Sequence, residues 1–126
     1  MATRVAGSFD DVIAQTEAAL KEQGFGIVTR IDIQGTLKSK LGADFRPYMI
    51  LGACNPRLAY EALQLEARVG TMLPCNVVVQ QSGADCIEVA AIDPVASMQA
   101  IDNSALSKAA HEVRTMLAKA IDSLAA

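Results

Sequence analysis

The stretch Pro47-Tyr48-Met49-Ile50-Leu51-Gly52-Ala53-Cys54-Asn55-Pro56 decides how this chain is read. From Tyr48 to Cys54 no charged residue falls on either parity, whereas a strand with one wet face alternates apolar with polar side chains. The run therefore suits a strand covered on both faces, either central in its sheet or turned toward a partner. Asn55 and Pro56 then supply an N-cap residue and a proline at the first helical position. A short helix follows through Leu58, Ala59, Ala62 and Leu63 and stops before Gly70.

Upstream, residues 2–6 alternate in a short apolar strand, and Ser8 with Asp11 three positions on resembles a capping box. The spacing of Phe9, Val12, Ile13, Thr16, Ala19 and Leu20 predicts a helix from Phe9 to about Gln23, with Gly24 as its stop. The period then changes to two, placing Phe25, Ile27, Ile31 and Ile33 on one face of a strand and Val28, Arg30, Asp32 and Gln34 on the other. Gly35 to Phe45 reads as a short helical turn or a mobile loop.

Downstream, strands over about Cys75 to Gln81 and Cys86 to Ile92 are joined by Ser82-Gly83-Ala84-Asp85, whose glycine and aspartate suit a hairpin. Asp93-Pro94 ends the hairpin, and an irregular or short helical connection leads to a last helix from about Ser104 to Leu124. Its stripe is Leu106, Ala109, Ala110, Val113, Leu117, Ala120, Ile121 and Leu124. The order strand, helix, strand, strand, short helix, strand, strand, helix gives an α+β fold. It is a mainly antiparallel sheet with two long helices on one face, in a single domain over residues 1–126.

A chain of 126 residues can bury a real core, and 52% apolar with 20% charged residues excludes disorder while leaving room for an apolar association surface. A homo-oligomer is expected on that ground. No apolar run approaches the ~20 residues that cross a bilayer, and no secretory signal is visible, so a cytoplasmic location is expected. A net charge of −3 with scattered basic residues argues against nucleic acid as a partner. Three cysteines, an odd number, point to reduced thiols.

Cys54 lies at a strand end just before a helix start, where unpaired N–H groups and the positive dipole end favour a thiolate. Cys75 opens a strand after Pro74. If the two strands are antiparallel neighbours, the sulfurs can form a dithiol that binds a soft metal, cycles to a disulfide or carries sulfur; the competing reading is two small core hydrophobes. Lys38, Lys40 and Arg46, with the Asn55-Pro56 helix start, can hold a small anion, with Tyr48 lining the same pocket. Against this stands a solvated loop with Arg46 paired to Asp44 or a backbone carbonyl. His111 reads as a helix-surface residue and Cys86 as incidental. Asp32, Asp44 and Asp93 are lone carboxylates of the kind that cap turns. With one histidine and no Ser-His-Asp order, paired-carboxylate motif or phosphate loop, a hydrolase is not expected.

The strings Asp44-Phe45-Arg46-Pro47-Tyr48-Met49-Ile50-Leu51-Gly52-Ala53-Cys54-Asn55-Pro56, Leu73-Pro74-Cys75-Asn76-Val77-Val78-Val79 and Ala91-Ile92-Asp93-Pro94 resemble family 302 of the domains of unknown function, over almost the whole chain. The resemblance implies a small sheet covered by helices, similar in topology to one half of the TATA-binding protein, and members that form homodimers. It carries no activity and no catalytic residues. The expectation is a homodimeric module that binds a small ligand, metal or sulfur near Cys54 and Cys75, with Arg46, Asn55, Tyr48, Asn76, Lys38 and Lys40 as further candidates. A thiol-based redox or sulfur-transfer enzyme and a structural adaptor are the alternatives.

Overall fold

A computed structural model describes residues 1–124. Strands β1 (Ala2–Val5), β2 (Gly26–Asp32), β3 (Tyr48–Cys54), β4 (Cys75–Gly83) and β5 (Cys86–Ala91) form one antiparallel sheet in the order β1-β5-β4-β3-β2. Between them run α1 (Phe9–Glu22), α2 (Ile33–Leu41), α3 (Pro56–Leu65), a 3-10 turn (Ala67–Met72), α4 (Pro94–Ser97) and α5 (Ser104–Leu124). The fold is α+β, as the patterning implies.

Alternation across the register builds the core. Ala53 faces Cys75 and Leu51 faces Val77 across β3 and β4, and Val79 faces Val89 across β4 and β5. All six are buried, packed with Val12, Ala19 and Leu20 of α1 and Leu117, Ala120 and Ile121 of α5. Each large aliphatic side chain withdrawn in this way contributes roughly 1.5–3 kcal/mol, so this single layer between sheet and two helices dominates the stability. A smaller cluster of Ala62, Val69 and Leu106 fixes α3 and the 3-10 turn against α5.

The helix ends follow local chemistry. Ser8 Oγ accepts from the Asp11 amide at 3.1 Å, and Gly24 takes the left-handed conformation, φ 86°, that lets the chain turn from α1 into β2. Asp32 and Asp93 cap α2 and α4, accepting from the amides of Gly35 at 3.0 Å and Val95 at 2.9 Å. Among the described residues no helix is long and apolar enough to cross a membrane.

Two local expectations are corrected. Ile33 and Gln34 do not extend β2; they begin α2, because the Asp32 side chain caps that helix, and of the two readings of the segment after β2 the helical one holds, over Ile33–Leu41 and so two residues earlier than expected. The two-residue alternation also breaks inside β2. A bulge between Ile27 and Thr29 shifts the register, so Ile27 pairs with Ala53 on the core side while Ile31 pairs with Ile50 on the opposite side and is 45% exposed. Arg30 consequently turns toward the helices, where its Nε and Nη2 each donate to the Glu17 carboxylate of α1 at 2.7 Å.

Candidate functional site

Core-facing residues of β3 and β4 are the odd-numbered ones, which sends their even-numbered neighbours to the other face of the sheet. On that face three rows cross the strands. The middle row is apolar: Ile31, Ile50, Val78, Ala90 and Ala2, each directly opposite the next. Beside it stands a polar row of Tyr48, Gln80, Glu88 and Arg4. On its other side are Thr29, Gly52 and Asn76. None of these residues belongs to either buried cluster; Ile31, Asn76, Ala2 and Arg4 are exposed, Tyr48, Ile50, Val78, Gln80, Glu88 and Ala90 are half-buried, and Gly52 is buried beneath Thr29 and Pro74, so the two long helices leave this face without the cover they give the other.

The polar row is wired together. Arg46 Nε donates to Gln80 Oε1 at 2.9 Å, and Gln80 Nε2 donates to Glu88 Oε1 at 3.2 Å. The Arg46 guanidinium lies over the rings of Phe45, 4.5 Å from its centroid, and Tyr48, at 5.6 Å, which fixes its position by cation–π attraction. Among the described residues Arg46, Glu88 and Arg4 have no ion-pair partner; the five ion pairs present use other side chains. Arg4 nonetheless stands directly opposite Glu88 on the neighbouring strand, so the row carries both signs of charge beside the apolar one.

The residues expected around the cysteines divide. Cys54, Cys75 and Cys86 are free thiols. β3 and β4 are antiparallel neighbours, yet the register sets Ala53, not Cys54, opposite Cys75, and consecutive strand residues point to opposite faces. Cys75 therefore enters the core at 7% exposure. Burial pushes its thiol up to about 11, and the neighbouring Cys54 adds to the rise. At neutral pH Cys75 is a protonated, apolar group. Among the described residues no three His, Cys, Asp or Glu side chains gather as a metal set.

Asn55 is occupied as a cap: its Oδ1 accepts from the Leu58 amide at 3.3 Å, and its Nδ2 approaches Met116 Sδ at 3.9 Å. It sits past one end of β3 while Arg46 precedes the other, and seven strand residues at ~3.3 Å each hold them more than about 20 Å apart. Lys38 pairs with Asp44 at 3.0 Å, and Lys40 is exposed on α2. The structure does not gather Lys38, Lys40, Arg46 and Asn55 at one point. What it does bring onto one face are Arg46, Tyr48 and Asn76, together with Ile31, Val78, Gln80, Glu88 and Ala90, which motif reading passed over. Their signal was in the hairpin: Val78 is apolar on the parity that Asn76 and Gln80 mark as outward.

Elsewhere, a groove of about 490 Å³ between α3 and α5 is lined by Arg57, Tyr60, Leu65 and Lys108 among others, with Arg57 bound to Glu61 and Glu112.

Fold and face together define a small open-faced α+β module. The chain belongs to the family described as Domain of unknown function DUF302, which matches residues 1–124. It is similar to a crystal structure of an uncharacterized conserved DUF302 protein from Bacillus stearothermophilus, with a TM-score of 0.90 and 29% identity, covering 98% of this chain and 96% of that one. No curated protein matches.

Proposed function

We propose that the protein is a non-catalytic association module that works as a homodimer, and that the open face of its sheet is the working surface. The observation that carries this is the uncovered apolar row Ile31-Ile50-Val78-Ala90-Ala2, rimmed by the Arg46-Gln80-Glu88 network. An apolar centre with a polar rim is the anatomy of a protein interface. Five strands spaced ~4.8 Å apart make the face about 24 Å wide. A second copy supplies a matching apolar row and both signs of charge.

The thiol chemistry finds less support. Cys75 is held as a thiol, and Ala53 rather than Cys54 is its direct cross-strand partner, so thiolate chemistry at Cys75 is disfavoured near neutral pH. The small ligand belongs, in this reading, to the same open face, where Arg46, Tyr48 and Asn76 reside.

Sedimentation of the wild-type chain and of Ile50→Lys tests the reading. Ile50 points away from the core, so the variant is expected to keep its far-ultraviolet circular dichroism while the dimer dissociates. A wild-type chain that sediments as a monomer at every concentration up to its solubility limit would sink the proposal.

A further inference from the structure

Away from the open face, we infer a small-molecule site: the groove between α3 and α5 binds a zwitterionic α-amino acid with an aromatic side chain. The site uses other residues and does not depend on how the sheet face is employed.

Short side chains between two tethered helices make the groove. α3 and α5 run antiparallel, tied at one end where Asn103 Nδ2 donates to the Leu65 carbonyl at 3.1 Å and at the other where Arg57 Nη2 donates to Glu112 Oε1 at 3.2 Å. Asn103 also caps α5, its Oδ1 accepting from the Leu106 amide at 3.0 Å. The buried cluster of Ala62, Val69 and Leu106 holds the two helices together underneath. Ala105 and Ala109, one turn apart on α5, fill little of the space above it, leaving about 490 Å³ beside Tyr60, Leu65 and Lys108. Cavities of roughly 300–1,000 Å³ are the size that takes a small molecule. Walls fixed at both ends need little reorganisation on binding.

The charges select the ligand. Arg57, Glu61, Lys108 and Glu112 all line the groove. Both carboxylates close on Arg57, Glu61 at 3.4 Å and Glu112 at 3.2 Å, while among the described residues Lys108 has no ion-pair partner. One guanidinium shared by two acids leaves negative charge in excess at that end. Lys108 stands four residues before Glu112, about 6 Å nearer the Leu65 end at ~1.5 Å per residue. A simple anion drawn to Lys108 meets the acid excess a turn away, and a simple cation drawn to the acids meets Lys108. Such repulsion discriminates as effectively as attraction. A zwitterion satisfies both ends: its carboxylate accepts from the Lys108 ammonium, and its ammonium donates to Glu61, whose bond to Arg57 is the longer of the two.

The remaining space takes the side chain. The Tyr60 ring is 66% exposed and walls, with Leu65, a floor of alanine. A ring in that position offers offset or edge-to-face contact to a second aromatic group. The groove belongs to the helix layer, on the opposite side of the sheet from the Ile50 row, so it stays accessible in the dimer.

The test is an NMR titration of the isotope-labelled full chain with phenylalanine, phenylpropionate and phenylethylamine, which share a ring and carry both charges, the negative one and the positive one respectively. Phenylalanine is expected to give saturable shifts on α3 and α5, with each analogue binding about fivefold or more weakly, the scale of one half-exposed charge contact. Lys108→Gln is expected to weaken phenylalanine and phenylpropionate by that factor and leave phenylethylamine unchanged. Glu61→Gln is expected to weaken phenylalanine and phenylethylamine and leave phenylpropionate unchanged. Ala105→Phe, at an exposed position, fills the groove and is expected to abolish the shifts with all three while circular dichroism stays native. No saturable shift with phenylalanine up to its solubility limit, equal binding of the three compounds, or shifts that saturate on the Ile50 row instead would overturn the site. Ile50→Lys is expected to leave the titration unchanged, so loss of the dimer and loss of this site are separate results.

Discussion

Replacing Cys75 by alanine separates a structural thiol from a chemical one through the pH dependence of stability. Burial is the main reason the Cys75 thiol lies at about 11 instead of its ordinary 9.0, and Cys54 contributes less. A folded-state pKa raised above the unfolded value means stability fully present below about pH 9 and lost as pH rises through about 11. Two units correspond to at most about 2.7 kcal/mol, since each unit is ~1.36 kcal/mol. Cys75→Ala costs packing at every pH but abolishes this titration. In urea unfolding under reductant, the advantage of wild type over the variant is therefore constant near neutrality and shrinks by about 2 kcal/mol toward pH 11. Cys54→Ser leaves most of that slope in place, because burial and not Cys54 is the larger cause. Parallel pH profiles for wild type and Cys75→Ala, or alkylation of Cys75 with an apparent pKa below 9.0, would refute the reasoning and return Cys75 to the list of reactive thiols.

Other consequences follow from particular contacts. A Cβ on Gly52 would run into Thr29 Oγ1 and come within 2.8 Å of Pro74 Cγ. Gly52→Ala is expected to cost about 1–3 kcal/mol in urea unfolding, and adding Thr29→Ala is expected to recover part of it by removing one of the two obstructions; no recovery would place the strain elsewhere. Burial raises the Asp93 carboxyl, but the amides of Ala96 and Val95 and the Arg114 guanidinium outweigh it and hold the group below its usual value. Its contribution is present above the unfolded carboxyl range and lost as pH falls through the lowered value, so Asp93→Asn is expected to flatten the acid limb of thermal stability. An unchanged acid limb would show that the α4 cap and its arginine are not coupled to folding.

Much of the fold was legible because its signals are local. The Ser8 cap, the stop at Gly24, the Asn55-Pro56 helix start and the stripe from Leu106 to Leu124 each act within a turn or two of the chain, and all recur in the structure. The bulge at Val28 was not legible, since nothing in Ile27-Val28-Thr29 distinguishes a continuous alternation from one that skips a residue. That decision belongs to the strand opposite, where the extra residue lets Arg30 reach Glu17. The placing of the cysteines was half legible: adjacency of the two strands was inferable, but register was not, and one residue of register decides that Ala53 and not Cys54 lies opposite Cys75.

The run from Tyr48 to Cys54 carries the larger argument. Its lack of polar residues on both parities implies cover on both faces, and the structure supplies cover on one only: Leu51 and Ala53 are sealed under α1 and α5, while Ile50 stands in an open row. A strand at the edge of the long-helix layer has no need of an isoleucine on its wet side, and neither does Val78 beside it or Ile31 beyond. Scattered surface hydrophobes are ordinary, but here register lines up Ile31, Ile50, Val78 and Ala90 across four consecutive strands. The alignment is a property of the folded sheet, assembled from segments that are far apart in the chain and individually unremarkable. In the dimer proposed above, a second copy covers this row, and Ile50→Lys tests that cover where it is densest, between Ile31 on one side and Val78 on the other.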